Sequence, residues 1–442
     1  MLTMPFFGGL CVLALVLVVL APLYSLVMWD LLMVPIVEPW YFGNTLFDPS
    51  DLVIVWFGAA VVLRGRLSPS NLIKNMPYLA TWLLLGIMLC VSYLASPLNA
   101  EALTNPARAG YQLYRYCFKL LLYYPICLLV LRDLRSVRIA LLAMVVGANI
   151  CAAEAVVQGY SGAFEPPGPF DTGNELAAVL IVPFMVALSG LMFPLSFLHR
   201  VFSGASVLLM ARAILFSASR GGMVSLIAAC GFFGALAFLL PGSRRKMIKL
   251  IPAALAAPVL LLIVRPDLLE RPTVRHAVSL TDGHKDGNMQ WRIKERWPHF
   301  IAIAMEHPLL GTGTYIDESL SKRANTPHNG YIAMSVKYGF ITTGLFLLFV
   351  YRVFRDSLRV YRRSPDLEHR VFFLTFAASI VGLMTHNIVE TTWVEPIIMK
   401  YFWLMTAVTA AYTYLWQGDE AAEVQSPASR AGVKPRLASQ AA

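Results

Sequence analysis

Residues 328–351 read HNGYIAMSVKYGFITTGLFLLFVY. After a short polar start the stretch carries one charge, Lys337. A bilayer's hydrocarbon core asks about 20 such residues of a crossing helix, and over runs of this length only helices satisfy their own backbone in lipid. Comparable runs lie near 4–27, 48–63, 77–96, 111–131, 137–159, 174–194, 199–217, 222–241, 247–264, 371–388 and 397–416. The chain of 442 residues is 57% hydrophobic and 14% charged, whereas soluble proteins average about 25% charged. The expected class is all-α: a polytopic helical membrane protein with about twelve transmembrane helices.

The net charge of +10 raises the question of nucleic acid, but its distribution points to topology. Arg64, Arg66 and Lys74 follow the second run, and Arg132, Arg135 and Arg138 the fourth. Arg244, Arg245, Lys246 and Lys249 follow the eighth, and Arg352 through Arg370 the tenth. The alternate loops hold Asp30, Glu38, Asp48, Glu101, Glu165, Asp171, Glu390 and Glu395 with hardly a cation. The positive-inside rule places the basic loops and both termini in the cytoplasm, and no nucleic-acid partner is expected. The first run is too long for a signal-peptide core and reads as a retained span. Cys11, Cys90, Cys117, Cys127, Cys151 and Cys230 all sit in apolar runs without Cys-x-x-Cys spacing, which reads as packing rather than disulfide or metal chemistry.

Residues 1–416 form one membrane domain on this reading, and 417–442, rich in Ala, Ser and charge, a disordered cytoplasmic tail. The outward loop 265–327 stands apart. Its first part, to Asn288, is rich in Gly, Asp and His and reads as irregular. From Gln290 to Glu306 a helix is expected, with Trp297, Phe300, Ile301 and Ala304 on one face and Arg292, Arg296 and His299 on another. Such a helix would lie along the membrane surface at phosphate depth.

His328 follows this loop. A neutral imidazole near pH 7 can take a proton from a hydroxyl, although a helix start alone explains the residue as well. Arg220 precedes two glycines at the outer end of a span, either as a snorkelling cation or as a ligand contact where the backbone is bare. Arg212, two turns deeper, would pair with Glu154 or line the same cavity. Arg292 and Arg296 are solvated helix charges or forks for phosphate oxygens. Lys322 and Arg323 add positive charge before His328, and His386 with Glu390 forms a weaker second constellation. No metal-ligand spacing is present, so no metal or other cofactor is expected.

Taken together, Ser219-Arg220-Gly221-Gly222, then Arg292 with Trp297 and His307-Pro308-Leu309-Leu310-Gly311-Thr312-Gly313, then His328-Asn329-Gly330-Tyr331 with Gly339 and Gly344, resemble the O-antigen ligase and polysaccharide polymerase superfamily of bacterial membrane glycosyltransferases. Pro169 to Ala177 is similar to a further tract of that family. The likeness runs from about residue 160 to 351 and, through the plan of spans, across nearly the whole chain. One departure is that Arg292 lies five residues before Trp297 where four are expected, which leaves Arg296 as a rival.

The resemblance implies a glycosyltransferase in the inner membrane whose large loop and active site are periplasmic. Its donor would be a glycan on undecaprenyl diphosphate and its acceptor a hydroxyl of lipid A-core, with inversion and no metal. Arg220 and Arg292 would hold the diphosphate, His328 would take the acceptor's proton, and Arg296 and Asn329 would be further substrate contacts. A polymerase extending a glycan would use the same donor. A transporter or flippase is the alternative from another class, supported by Arg115, Lys119, Arg212, Lys337 and Lys400 within spans.

Overall fold

The computed structural model describes residues 40–42, 45–47, 76–95, 119–131, 133–163, 165–192, 196–240, 287–313, 326–394 and 396–416. The runs at 4–27, 48–63 and 247–264, the stretch 265–286, Lys322, Arg323 and the tail 417–442 lie outside them. Each of the other expected runs meets a helix. These are α1 (Leu79–Ala95), α2 (Lys119–Val130), α3 (Leu134–Tyr160), α4 (Gly173–Gly190), α5 (Phe197–Phe216) and α6 (Arg220–Phe238). After the loop helices α7 (Gly287–Trp291) and α8 (Trp297–Glu306) come α9 (Gly330–Arg363), α10 (Leu367–His386) and α11 (Pro396–Ala410). Among the described residues α3, α4, α5, α6, α9 and α10 are long and apolar enough to cross a membrane. The chain is a multi-pass helical membrane protein. A local exception to the all-α expectation is an antiparallel hairpin, β1 (Trp40–Phe42) with β2 (Thr45–Phe47), in a segment expected as loop. Its aromatic and β-branched residues flank Gly43-Asn44, a two-residue hairpin signal.

Helix α4 is the most enclosed of the spans and packs against α3, α5, α6 and α10. It joins two apolar cores, one built with α3, α5 and α6 and the other with α1, α2, α9, α10 and α11. Leu208, Ile227, Leu239 and Val157 point outward and are exposed, as lipid-facing positions of spanning helices are. Small polar residues start the helices: the side chains of Thr172, Ser219 and Asn329 accept hydrogen bonds from the first turns of α4, α6 and α9. These three starts lie at the bundle end where α5 and α10 finish. The opposite end carries the expected basic residues, with Arg138 at the start of α3 paired to Glu368 at the start of α10.

Helix α9 differs from the single span expected over 328–351. At Gly339 the backbone leaves the helix with φ 77° and ψ 170°, a left-handed conformation that favours glycine. The motif His307 to Gly313 fills this break. Thr312 N donates to Val336 O at 2.7 Å, Gly313 N to Lys337 O at 2.9 Å, and Phe340 N to Pro308 O at 2.8 Å. Backbone groups freed by a break inside a bilayer must find such partners. The close fit requires bare glycine: a Cβ on Gly339 would stand 2.2 Å from Leu309 O.

Candidate active site

A cavity of about 270 Å³ opens between the starts of α4 and α6, the end of α5, the loop helix and the turn after α10. Gly173 and Asn174 reach it from α4, Arg220 and Gly221 from α6, Arg292 from the loop, and His386, Val389 and Glu390 from α10 and its turn. Helix starts carry partial positive charge and unused N–H groups. Two of them, with two arginines, make one wall suited to an anion.

The turn 387–390 is the hub that brings the other pieces in. Gly330 N donates to Asn387 O at 2.7 Å and Asn329 Nδ2 to Ile388 O at 2.9 Å. Arg292 Nη1 donates to Val389 O at 2.8 Å. Trp297 Nε1 donates to Pro327 O at 3.0 Å, holding the residue just before His328. So anchored, His328 Nδ1 lies 2.8 Å from Glu390 Oε1. The other carboxylate oxygen accepts from Asn174 Nδ2 at 2.9 Å, and Thr391 N points at Oε1 from 3.3 Å. Burial would raise the Glu390 pKa. The hydrogen bond and charge of His328, the Thr391 N–H and the nearby His386 outweigh it and hold the carboxyl below its usual value.

The expected site residues therefore separate. Arg220 and Arg292 line one cavity, and His328 joins it through Glu390. Asn329 does not: it is buried, its Oδ1 accepts from Tyr331 N and Ile332 N, and its Nδ2 is spent on Ile388. Its amide caps α9 and ties it to the hub. Arg296 stacks on Trp291, 4.9 Å from the ring centroid. Burial and then Arg292 lower its pKa, against the pull of Glu390, so it stands within electrostatic reach of the site without lining it. Arg212 is not a cavity residue. It lies over the rings of Tyr160 and Phe216, at 4.8 and 5.1 Å, while Glu154 accepts from Gln158.

The loop helix explains the spacing of its arginines. Residues Arg292–Arg296 form a π-helical turn between α7 and α8, which takes one more residue than an α-turn would. Phe300, Ile303 and Ala304 then pack with Val336 of α9, while Ile301, expected on the buried face, is exposed. Strain gathers here as well. Among the described residues, non-glycine residues with positive φ are Tyr78, Glu165, Ala218 and His328; Glu165 and Ala218 line the cavity and His328 pairs with Glu390. Such conformations cost about 1–3 kcal/mol each and concentrate at functional sites.

Glu390 was legible only as part of a weaker constellation with His386, and Asn174 only as one letter in a family-like tract. Nothing local in the sequence says that these residues meet His328. A search of curated proteins gives no match to the chain. A family model described as O-antigen ligase matches residues 205–347, which contain Arg220, Arg292, Arg296, His328, Asn329 and Gly339, so over this stretch the chain is similar to the O-antigen ligase family.

Proposed function

We propose that this membrane glycosyltransferase moves a glycan from undecaprenyl diphosphate to a hydroxyl of lipid A-core at the periplasmic face of the inner membrane. The observation that carries the reading is one cavity lined by Arg220, Arg292, two helix starts and Glu390, with His328 paired to that carboxylate. In a single displacement the acceptor oxygen attacks the anomeric carbon. The bond from that carbon to the diphosphate oxygen breaks, and its electron pair stays on the diphosphate. Configuration inverts because attack comes from the face opposite the leaving group.

His328 takes the acceptor's proton on Nε2, since Nδ1 faces Glu390, and the carboxylate stabilises the imidazolium that forms. Arg220 and Arg292 stabilise charge growing on the diphosphate, so fixed cations serve where other transferases use a metal. Asn329 acts as a positioning residue that sets the height of His328 over the hub.

Purified protein in nanodiscs, given an undecaprenyl-diphosphate-linked glycan and lipid A-core, tests this directly. Glycan appearing on lipid A-core supports the ligase reading. Longer glycan remaining on the undecaprenyl carrier would make the protein a polymerase. Movement of the intact lipid across the bilayer without transfer would replace both with a transporter.

A further inference from the structure

His386, the last residue of α10, has no exposed surface and yet borders the cavity. Its Nδ1 lies 3.0 Å from Oγ1 of Thr392, which is itself buried. Its Nε2 is buried and makes no hydrogen bond within the protein. Native structures seldom leave such a nitrogen without a partner. The Glu390 carboxylate one turn on makes no hydrogen bond to it; its oxygens bond His328 and Asn174.

Gly221, at the start of α6, stands beside Nε2. A Cβ built on Gly221 would meet Val389 Cγ2 at 2.4 Å and His386 Nε2 at 3.9 Å. Glycine at 221 thus lets the α6 start close on the hub next to the imidazole nitrogen. That nitrogen stands beside the same helix start that carries Arg220.

We infer that His386 is a further binding residue for the diphosphate of the lipid-linked donor, its Nε2–H donating to a phosphate oxygen while Thr392 fixes the ring. This rests on the function proposed above. If the Thr392 hydroxyl donates to Nδ1, the ring's proton resides on Nε2, which becomes a directional donor without a net charge. Two arginines in one small cavity already repel each other, and a neutral third donor adds a contact without adding to that repulsion. Thr392 acts as a positioning residue, and His328 keeps its separate task at the acceptor side.

The experiment is equilibrium binding of undecaprenyl diphosphate and of undecaprenyl monophosphate to the purified full chain in nanodiscs. His386→Leu is expected to weaken diphosphate binding by about 10- to 100-fold, as loss of a hydrogen bond to a charged group does, and monophosphate binding by less. His386→Gln, whose amide N–H reaches towards the same place, should lose markedly less, and Thr392→Val should fall between. Because the Leu variant can fail to fold, the wild type carries a second readout. With ¹⁵N-labelled histidine, the His386 Nε2 resonance, assigned by its disappearance in the Gln variant, should move on addition of undecaprenyl diphosphate.

An unmoved resonance, or equal affinities in folded His386→Leu and wild type, would overturn the inference. Arg220→Lys, measured beside them, separates this from the broader reading. Weakened binding in Arg220→Lys with none in His386→Leu sinks His386 alone. No measurable diphosphate binding by the wild type sinks the donor assignment and the inference with it.

Discussion

His328 and Glu390 are 62 residues apart, and the Nδ1 of one meets the Oε1 of the other at 2.8 Å. The distance is set by the backbone around it, since the starts of α9 and of the turn after α10 are laced together at Gly330–Asn387 and Asn329–Ile388. A carboxylate that fixes one ring nitrogen leaves the other to meet substrate. His328→Ala should therefore lower glycan transfer by about 10²–10⁴, as loss of a general base does. The protein should remain inserted and monodisperse, because the side chain is 31% exposed and fills no core. Glu390→Gln should lower kcat less than His328→Ala and change the donor KM little. Wild-type transfer by the Ala variant would remove His328 as the base.

The same pair sets an acid limit on stability. Glu390 has its pKa held below the usual carboxylate value, the His328 contact and its neighbours outweighing burial. A carboxyl whose folded pKa is depressed contributes full stability above its unfolded pKa, about 4.3, and loses that contribution as pH falls through the folded value. The apparent thermal midpoint of wild type should thus drop below about pH 5 more steeply than that of Glu390→Gln, which should be the less stable of the two near neutral pH. Parallel curves for the two proteins across this range would remove the pair as a source of acid sensitivity.

How far these features were legible depends on the range over which each is encoded. The spans are written locally, in apolar runs such as 174–194, and the basic residues at 135–138 and 362–363 lie at the bundle end away from the cavity. Arg220 and Arg292 were readable as cations where topology otherwise avoids them. The partner of His328 was not, because Glu390 and Asn174 reach it from α10 and α4, and no spacing rule links three segments so distant. Asn329 misled for the opposite reason. Beside a histidine its amide looks like a ligand contact, yet as the residue preceding a helix it is drawn into capping. The break in α9 was hidden because the glycine at 339 sits inside a run that, Lys337 apart, stays apolar enough on both sides to read as one span.

Gly339 and Gly344 lie in the same apolar run and should respond in opposite ways to alanine. At 339 the φ of 77° and a Cβ position 2.2 Å from Leu309 O leave no room. At 344 no atom lies within 4 Å of the added methyl. Gly344→Ala should be neutral or raise the thermal midpoint slightly, since alanine is favoured over glycine within a helix by about 0.5–1 kcal/mol. Gly339→Ala should lower the midpoint clearly and reduce transfer, because it pushes away the 307–313 segment that closes the break. Equal midpoints for the two variants would show that this contact contributes nothing.

The last expectation separates the two loop arginines. The π-helical turn Arg292–Arg296 absorbs the additional residue between Arg292 and Trp297, so that Arg292 lines the cavity and donates to Val389 O while Arg296 stacks on Trp291. Lysine keeps the charge but cannot reproduce a planar fork that pairs with two phosphate oxygens. Arg220→Lys and Arg292→Lys should each cut transfer strongly, mainly through kcat if the contacts strengthen as the diphosphate leaves. Arg296→Lys should cost much less. Deleting Lys294, an exposed residue of the turn, should convert it towards a regular α-turn and rotate Arg292 about 100° relative to α8, with loss of transfer comparable to Arg292→Lys. The measurement is transfer from an undecaprenyl-linked glycan by folded, purified variants. If Arg296→Lys proves the more damaging and the Lys294 deletion is active, the roles of the two arginines are reversed and the π-turn has no bearing on the site.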